Sequence, residues 1–74
     1  MSTPARRRFG LRVRLRREKL GLSLRKAATQ AGIHYTYLAS VERGERNLGL
    51  DNLFKVARAL RMDPADLVRG LHRG

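Results

Sequence analysis

Between Gly32 and Asn47 the chain reads GIHYTYLASVERGERN, which gathers a histidine, two tyrosines, two small hydroxyl residues and several charged side chains into one short stretch. Catalysis would need a nucleophile or an acid–base pair held together, and the rest of the sequence supplies neither. His34 and His72 stand far apart with no carboxylate cluster beside them, so no metal centre is expected and no cofactor is called for. The absence of cysteine excludes a disulfide framework and a thiolate metal site, and suits a reducing cytoplasm. At 74 residues the chain is one small domain. Such a domain buries only about 60% of its unfolded surface and has little core to spare for an enclosed pocket, so an enzyme is not expected. The chemistry that remains to these residues is recognition: hydroxyls that donate or accept, and arginines with planar donor forks.

Seventeen Lys and Arg face six Asp and Glu, a formal net charge of +11. A domain this basic attracts polyanions, of which nucleic acid is the commonest. An anionic membrane is the rival partner, but no apolar run approaches the roughly 18 residues of a spanning helix, and no lipidation motif is visible. The opening MSTPARRRFGLRVRLRREK is free of acid until Glu18, as a cleavable targeting peptide would be. Removing it would delete a helix that the remainder needs, so it is read as part of the working domain.

The elements that must position the stretch follow from apolar spacing. Residues 1–8, with Pro4 and three consecutive arginines, read as a flexible basic arm, and residues 9–74 as the folded domain. Phe9, Val13 and Leu20, with Leu15 nearby, predict a first helix that stops at Gly21. Ser23 can cap a second helix from Leu24 to about Ala31, small on its buried side through Ala27, Ala28 and Ala31 and ended by Gly32. A third runs from His34 or Tyr35 to Arg43, closed by Gly44. Leu50, Leu53, Phe54, Val56, Ala57 and Leu60 predict a fourth. Asp63 as N-cap, Pro64 at the first position and Asp66 in the first turn start a fifth, expected to reach about Leu71. Nothing alternates with period two, so the fold class is all-α, a compact five-helix domain.

On the third helix His34, Leu38 and Val41 share the expected inward side. Thr36, Ala39, Ser40 and Arg43 lie opposite, with Tyr35 and Tyr37 on the flanks. Small hydroxyls and an arginine suit a helix lying in the major groove, where they meet base edges and phosphates. A merely solvated helix face, with the tyrosines as half-buried core edges, has the same pattern.

A longer pattern runs through Val13-Arg14-Leu15-Arg16-Arg17, Gly21-Leu22-Ser23, Ala28, Ala31-Gly32-Ile33, Tyr37-Leu38, Val41-Glu42-Arg43-Gly44 and Arg46-Asn47. In this order and spacing it resembles the helix-turn-helix domains of the lambdoid phage repressor and Cro family, from about Phe9 to Leu71. The run Tyr-Leu-Ala-Ser-Val-Glu-Arg-Gly followed by Arg46-Asn47-Leu48 looks most like the small controller proteins of restriction-modification systems. The resemblance implies that the second helix crosses the DNA backbone while the third, about 35–43, enters the major groove. It implies base reading by Tyr35, Thr36, Ser40 and Arg46, and backbone contacts by Ser23, Arg25, Lys26, Tyr37, Arg43 and Asn47. It also implies a structural ion pair between Arg17 and Glu42. Leu24 departs from relatives that carry a phosphate-binding glutamine there, and the second helix lacks the acidic residues through which some relatives activate transcription.

The expected partner is double-stranded DNA, bound at a two-fold operator by a homodimer joined through Leu67, Val68 and Leu71 of the last helix, although Leu67 also suits the core. No sensor region is visible, so no small-molecule effector is expected. The alternatives are an antitoxin that neutralises a protein partner and regulates itself, and a nucleic-acid binder indifferent to sequence.

Overall fold

The computed structural model describes residues 2–73. Its helices are α1 (Pro4–Lys19), α2 (Leu24–Ala31), α3 (Tyr35–Glu42), α4 (Leu50–Ala59) and α5 (Pro64–Val68), followed by a single 3₁₀ turn at Leu71–Arg73. No strand occurs among the described residues, so the all-α five-helix expectation holds.

The boundaries follow from their capping chemistry. Ser23 accepts a hydrogen bond from the Lys26 amide at 3.1 Å and starts α2, and Asp63 does the same for the Ala65 amide at 2.9 Å to start α5. Gly32, at φ 74°, ends α2 in the left-handed conformation, and the Ile33 amide returns to the Ala28 carbonyl.

Two boundaries differ from the sequence expectation. The first helix begins at Pro4 rather than Phe9. The Thr3 hydroxyl accepts from the Arg6 amide at 3.1 Å, Pro4 fills the first position, and residues 4–8 are therefore helix instead of a flexible arm. The fifth helix ends at Val68 rather than near Leu71, because Arg69 leaves helical geometry at ψ 124° and Gly70 turns the chain at φ 73°. Met1 and Gly74, assigned to the arm and the domain respectively, lie outside the described residues.

The core is built from Val13, Ala27, Ala28, Leu38, Val56, Ala57, Leu60 and Leu67, drawn from all five helices. Alanines on α2 let α3 and α4 approach it closely, and Gly10 does the same between α1 and α3. A Cβ at Gly10 would stand only 2.4 Å from the Val41 and Glu42 carbonyl oxygens, which only glycine avoids.

The C-terminal half is held to α1 by three arginines spaced one turn apart. Arg8 donates to the Leu71 carbonyl at 2.8 Å, Arg12 to Leu67 at 3.1 Å and Arg16 to Leu60 at 2.9 Å. These acceptors sit at or just beyond the ends of α4 and α5, where helix carbonyls have no partner within the helix and carry the negative end of its dipole. Part of the chain's positive charge is therefore engaged in closing the fold.

Candidate nucleic-acid interface

The helix-turn-helix unit is α2, the turn at Gly32 and α3. Its orientation is fixed from behind by Arg17, which lies on α1 and donates Nε to Glu42 Oε2 at 2.7 Å and Nη2 to Oε1 at 3.0 Å. The same guanidinium donates to the Leu22 carbonyl at 3.0 Å, tying the approach to α2 into the same joint. The hydrogen bonds that Arg17 donates to Glu42 raise it above the ordinary guanidinium range, with burial opposing them. The two side chains are 13% and 8% exposed, so this is a nearly dry, bidentate pair.

On the outward side of α3, Thr36 is exposed, and Tyr35 and Tyr37 are half-buried flanks, as expected. Two residues stand elsewhere than the helical projection implies. His34 is exposed instead of inward, because its backbone is extended (φ −72°, ψ 141°) and the projection starts only at Tyr35. As N-cap its Nδ1 accepts from the Thr36 amide at 3.2 Å and lies 2.7 Å from the Thr36 hydroxyl.

Ser40 is buried, 8% exposed, and its hydroxyl donates to the Tyr37 carbonyl at 2.6 Å. On the neighbouring flank Asn52 of α4 donates to the Tyr37 hydroxyl at 3.3 Å. Ser40 is thus a helix-backed packing residue and has no free group for a base edge. Asn52 was missed because nothing near it marks it apart from an ordinary polar helix position.

Arginines border this surface in three ways. The Arg25 guanidinium lies 3.9 Å from the centroid of the Tyr35 ring, and His34 stacks on that same ring at 5.1 Å. Arg46 approaches Tyr37 more loosely, at 5.9 Å. Arg43 is paired with Glu45 at 3.0 Å, and the hydrogen bond from Arg43 holds Glu45 below the usual carboxylate range. Ser23, Lys26 and Asn47 are exposed.

A separate apolar surface lies beyond the turn. Leu50 and Phe54 on α4 are 65% and 50% exposed and Val68 on α5 is 41% exposed. Beside them an apolar cleft of about 180 Å³ is lined by Phe9, Leu48, Leu53, Val68 and Leu71. Leu67, expected with Val68 and Leu71 on this surface, is instead fully buried in the core. No group of three or more His, Cys, Asp or Glu able to hold a metal occurs among the described residues, and no helix there is long and apolar enough to cross a membrane.

Comparisons with known proteins agree with this geometry. The helix-turn-helix family model matches residues 13–67. The control protein C.BamHI of Bacillus amyloliquefaciens is 43% identical over 61 residues, covering 81% of this chain and 75% of that protein. Among solved structures, the restriction-modification controller protein C.AhdI from Aeromonas hydrophila superposes with a TM-score of 0.81 at 41% identity, over 82% of this chain and 92% of that one. The P22 c2 repressor, solved in complex with a synthetic operator, gives 0.79 at 29% identity, over 84% and 94%. These relatives give the antitoxin alternative no support. The chain belongs to the helix-turn-helix family and is similar, within it, to restriction-modification controller proteins.

Proposed function

We propose that this DNA-binding transcriptional regulator works in the bacterial cytoplasm as a homodimer on a two-fold operator, repressing or self-limiting a promoter by occupying it. The observation that carries the reading is the exposed hydroxyl and arginine face of α3, held rigidly from behind by the Arg17–Glu42 pair, on a chain of net charge +11. Thr36 meets base edges from the first turn of α3, with Tyr35 beside it and Arg46 at the groove edge. Lys26, Arg43, Asn47 and the capped start of α2 at Ser23 meet phosphates, which set register and affinity rather than sequence. Ser40 is left out of the reading set because its hydroxyl is engaged inside the protein.

The dimer surface we assign is Leu50 and Phe54 of α4 together with Val68 and Leu71, which line the cleft. Two large apolar side chains one turn apart, both at least half exposed, are a poor surface for a monomer in water. Two half-sites about one helical turn apart require a two-fold pairing that leaves both copies of α3 on one side of the particle.

Selection of bound duplexes from a random pool tests the reading. A two-fold symmetric consensus is expected, with affinity falling by about 10³ to 10⁵ between 50 and 200 mM salt if the dimer makes about 6 to 10 phosphate contacts. No enriched sequence, with strong salt dependence retained, would instead make the protein a sequence-indifferent binder.

A further inference from the structure

Two arginines, Arg25 and Arg46, meet a tyrosine ring, and Arg25 lies much the nearer, 3.9 Å from its centroid against 5.9 Å. On α1, Arg8, Arg12 and Arg16 donate to carbonyls, Arg17 to Glu42, Arg14 to Glu18 and Arg7 to the Ser2 hydroxyl, and beyond it Arg43 and Arg69 are paired with acids. Arg25 makes no such hydrogen bond or ion pair among the described residues; its one fixed interaction is with a ring, 3.9 Å from the Tyr35 centroid. A guanidinium lying on an aromatic face has its plane set while its N–H donors, which all lie in that plane, stay open at the edge.

The ring beneath it is itself fixed. Tyr35 packs against the core cluster and stacks with His34, whose Nδ1 is engaged with Thr36. Arg25 belongs to the first turn of α2, yet the stack carries its charged end to Tyr35, the first residue of α3 and the neighbour of Thr36. The N-terminal end of a recognition helix is where base edges are met. A planar donor fork in that place matches the O6 and N7 acceptors of guanine.

We propose that Arg25, held over the Tyr35 ring, reads a guanine in each half-site, so that base recognition is shared between α2 and α3 and Tyr35 serves as the platform that positions it. This rests on the DNA-binding reading above and moves Arg25 from the backbone contacts to the specifying ones. Lys26 and the α2 amides are left to hold the phosphates.

The test compares site selection by the wild-type protein with that of Arg25→Ala, Arg25→Lys, Tyr35→Leu and Tyr35→Phe, followed by titration of the enriched duplex carrying 7-deazaguanine at the position concerned. Wild type is expected to enrich a guanine once per half-site and to lose about tenfold or more in affinity on the N7-deleted base. Arg25→Ala and Arg25→Lys should lose that one preference, keep the rest of the consensus and ignore the 7-deaza change. Tyr35→Leu should behave likewise, and Tyr35→Phe should restore the preference, which a purely structural tyrosine would not do selectively at one base.

Uniform weakening on all sequences by Arg25→Ala, with recovery by Arg25→Lys, would make Arg25 a phosphate contact and overturn the proposal while leaving the regulator reading intact. Failure of wild type itself to enrich any sequence would overturn both.

Discussion

Arg17 and Glu42 join the middle of the fold through two parallel hydrogen bonds of 2.7 and 3.0 Å, linking α1 to the last turn of α3. Removing one partner strands the other in a largely dry joint. Arg17→Ala or Glu42→Ala should each destabilise by about 3 kcal/mol, the lower end for buried pairs because Arg17 keeps some solvent. In a domain of this size that lowers Tm by more than about 10 °C in a thermal melt. Arg17→Met combined with Glu42→Leu should recover most of the loss, since the cost lies in the unpaired charge and not in the missing attraction. A double variant as unstable as the singles would refute that explanation.

Gly10 tests the packing of the same two helices with the sign reversed from propensity. Alanine in a helix interior ordinarily gains about 0.5–1 kcal/mol over glycine. Here its Cβ would meet two backbone oxygens at 2.4 Å, and backbone cannot move aside as a flexible side chain can. Gly10→Ala should therefore destabilise by about 1–3 kcal/mol or more, read by urea denaturation. A stabilised variant would mean that α1 and α3 are further apart than described.

Thr36→Ala should leave the melting temperature close to that of wild type, because the side chain is exposed. It should remove about 1–3 kcal/mol of discrimination at one base pair per half-site, measured as the affinity ratio between the consensus and its single-base variants. Equal losses on every duplex would take Thr36 out of the reading set.

Glu45 acts against the interface. Because Arg43 holds its carboxyl below the usual range, it stays ionised at neutral pH, and the pair is lost only as pH falls through that lowered value. Glu45→Gln should free Arg43 for a phosphate and raise DNA affinity about two- to fivefold, in line with the small worth of exposed ion pairs. The salt slope should steepen by about one. Unchanged affinity and slope would show that Arg43 does not reach the backbone.

Phe54→Glu and Leu50→Glu should halve the particle mass in sedimentation velocity while leaving helicity by circular dichroism near that of wild type, since both side chains are at least half exposed. Leu67→Glu, at a fully buried position, should unfold the protein instead. A dimer that survives both surface changes would place the two-fold elsewhere.

Much of this arrangement was legible in the residues alone. Ser23, Gly32, Asp63 and Pro64 state their helix ends through caps that act locally, whereas the pairing of Arg17 with Glu42, which the structure contains, was implied by the family resemblance. Thr3-Pro4 carries the same cap-and-proline signal as Asp63-Pro64, although the three arginines that follow give it the look of an arm. Ser40 and His34 could not be placed by helical projection. The burial of Ser40 is a tertiary fact that projection along one helix does not carry, and His34 stands just outside the helix whose angles were projected. Spacing also shows that Leu50 and Phe54 share a stripe with Leu53 but not whether that stripe meets the core or another molecule.

The arginines at positions 8, 12 and 16 have a consequence in time. A ribosome makes α1 before α4 and α5, so the carbonyls of Leu60, Leu67 and Leu71 that receive its side chains are made well after it. Until they emerge, Arg8, Arg12 and Arg16 lack the acceptors they have in the folded domain. The two halves of the fold are thus joined only after the helix-turn-helix has been made, and a copy cut before Leu60 keeps the charge of α1 without the carbonyls that hold it.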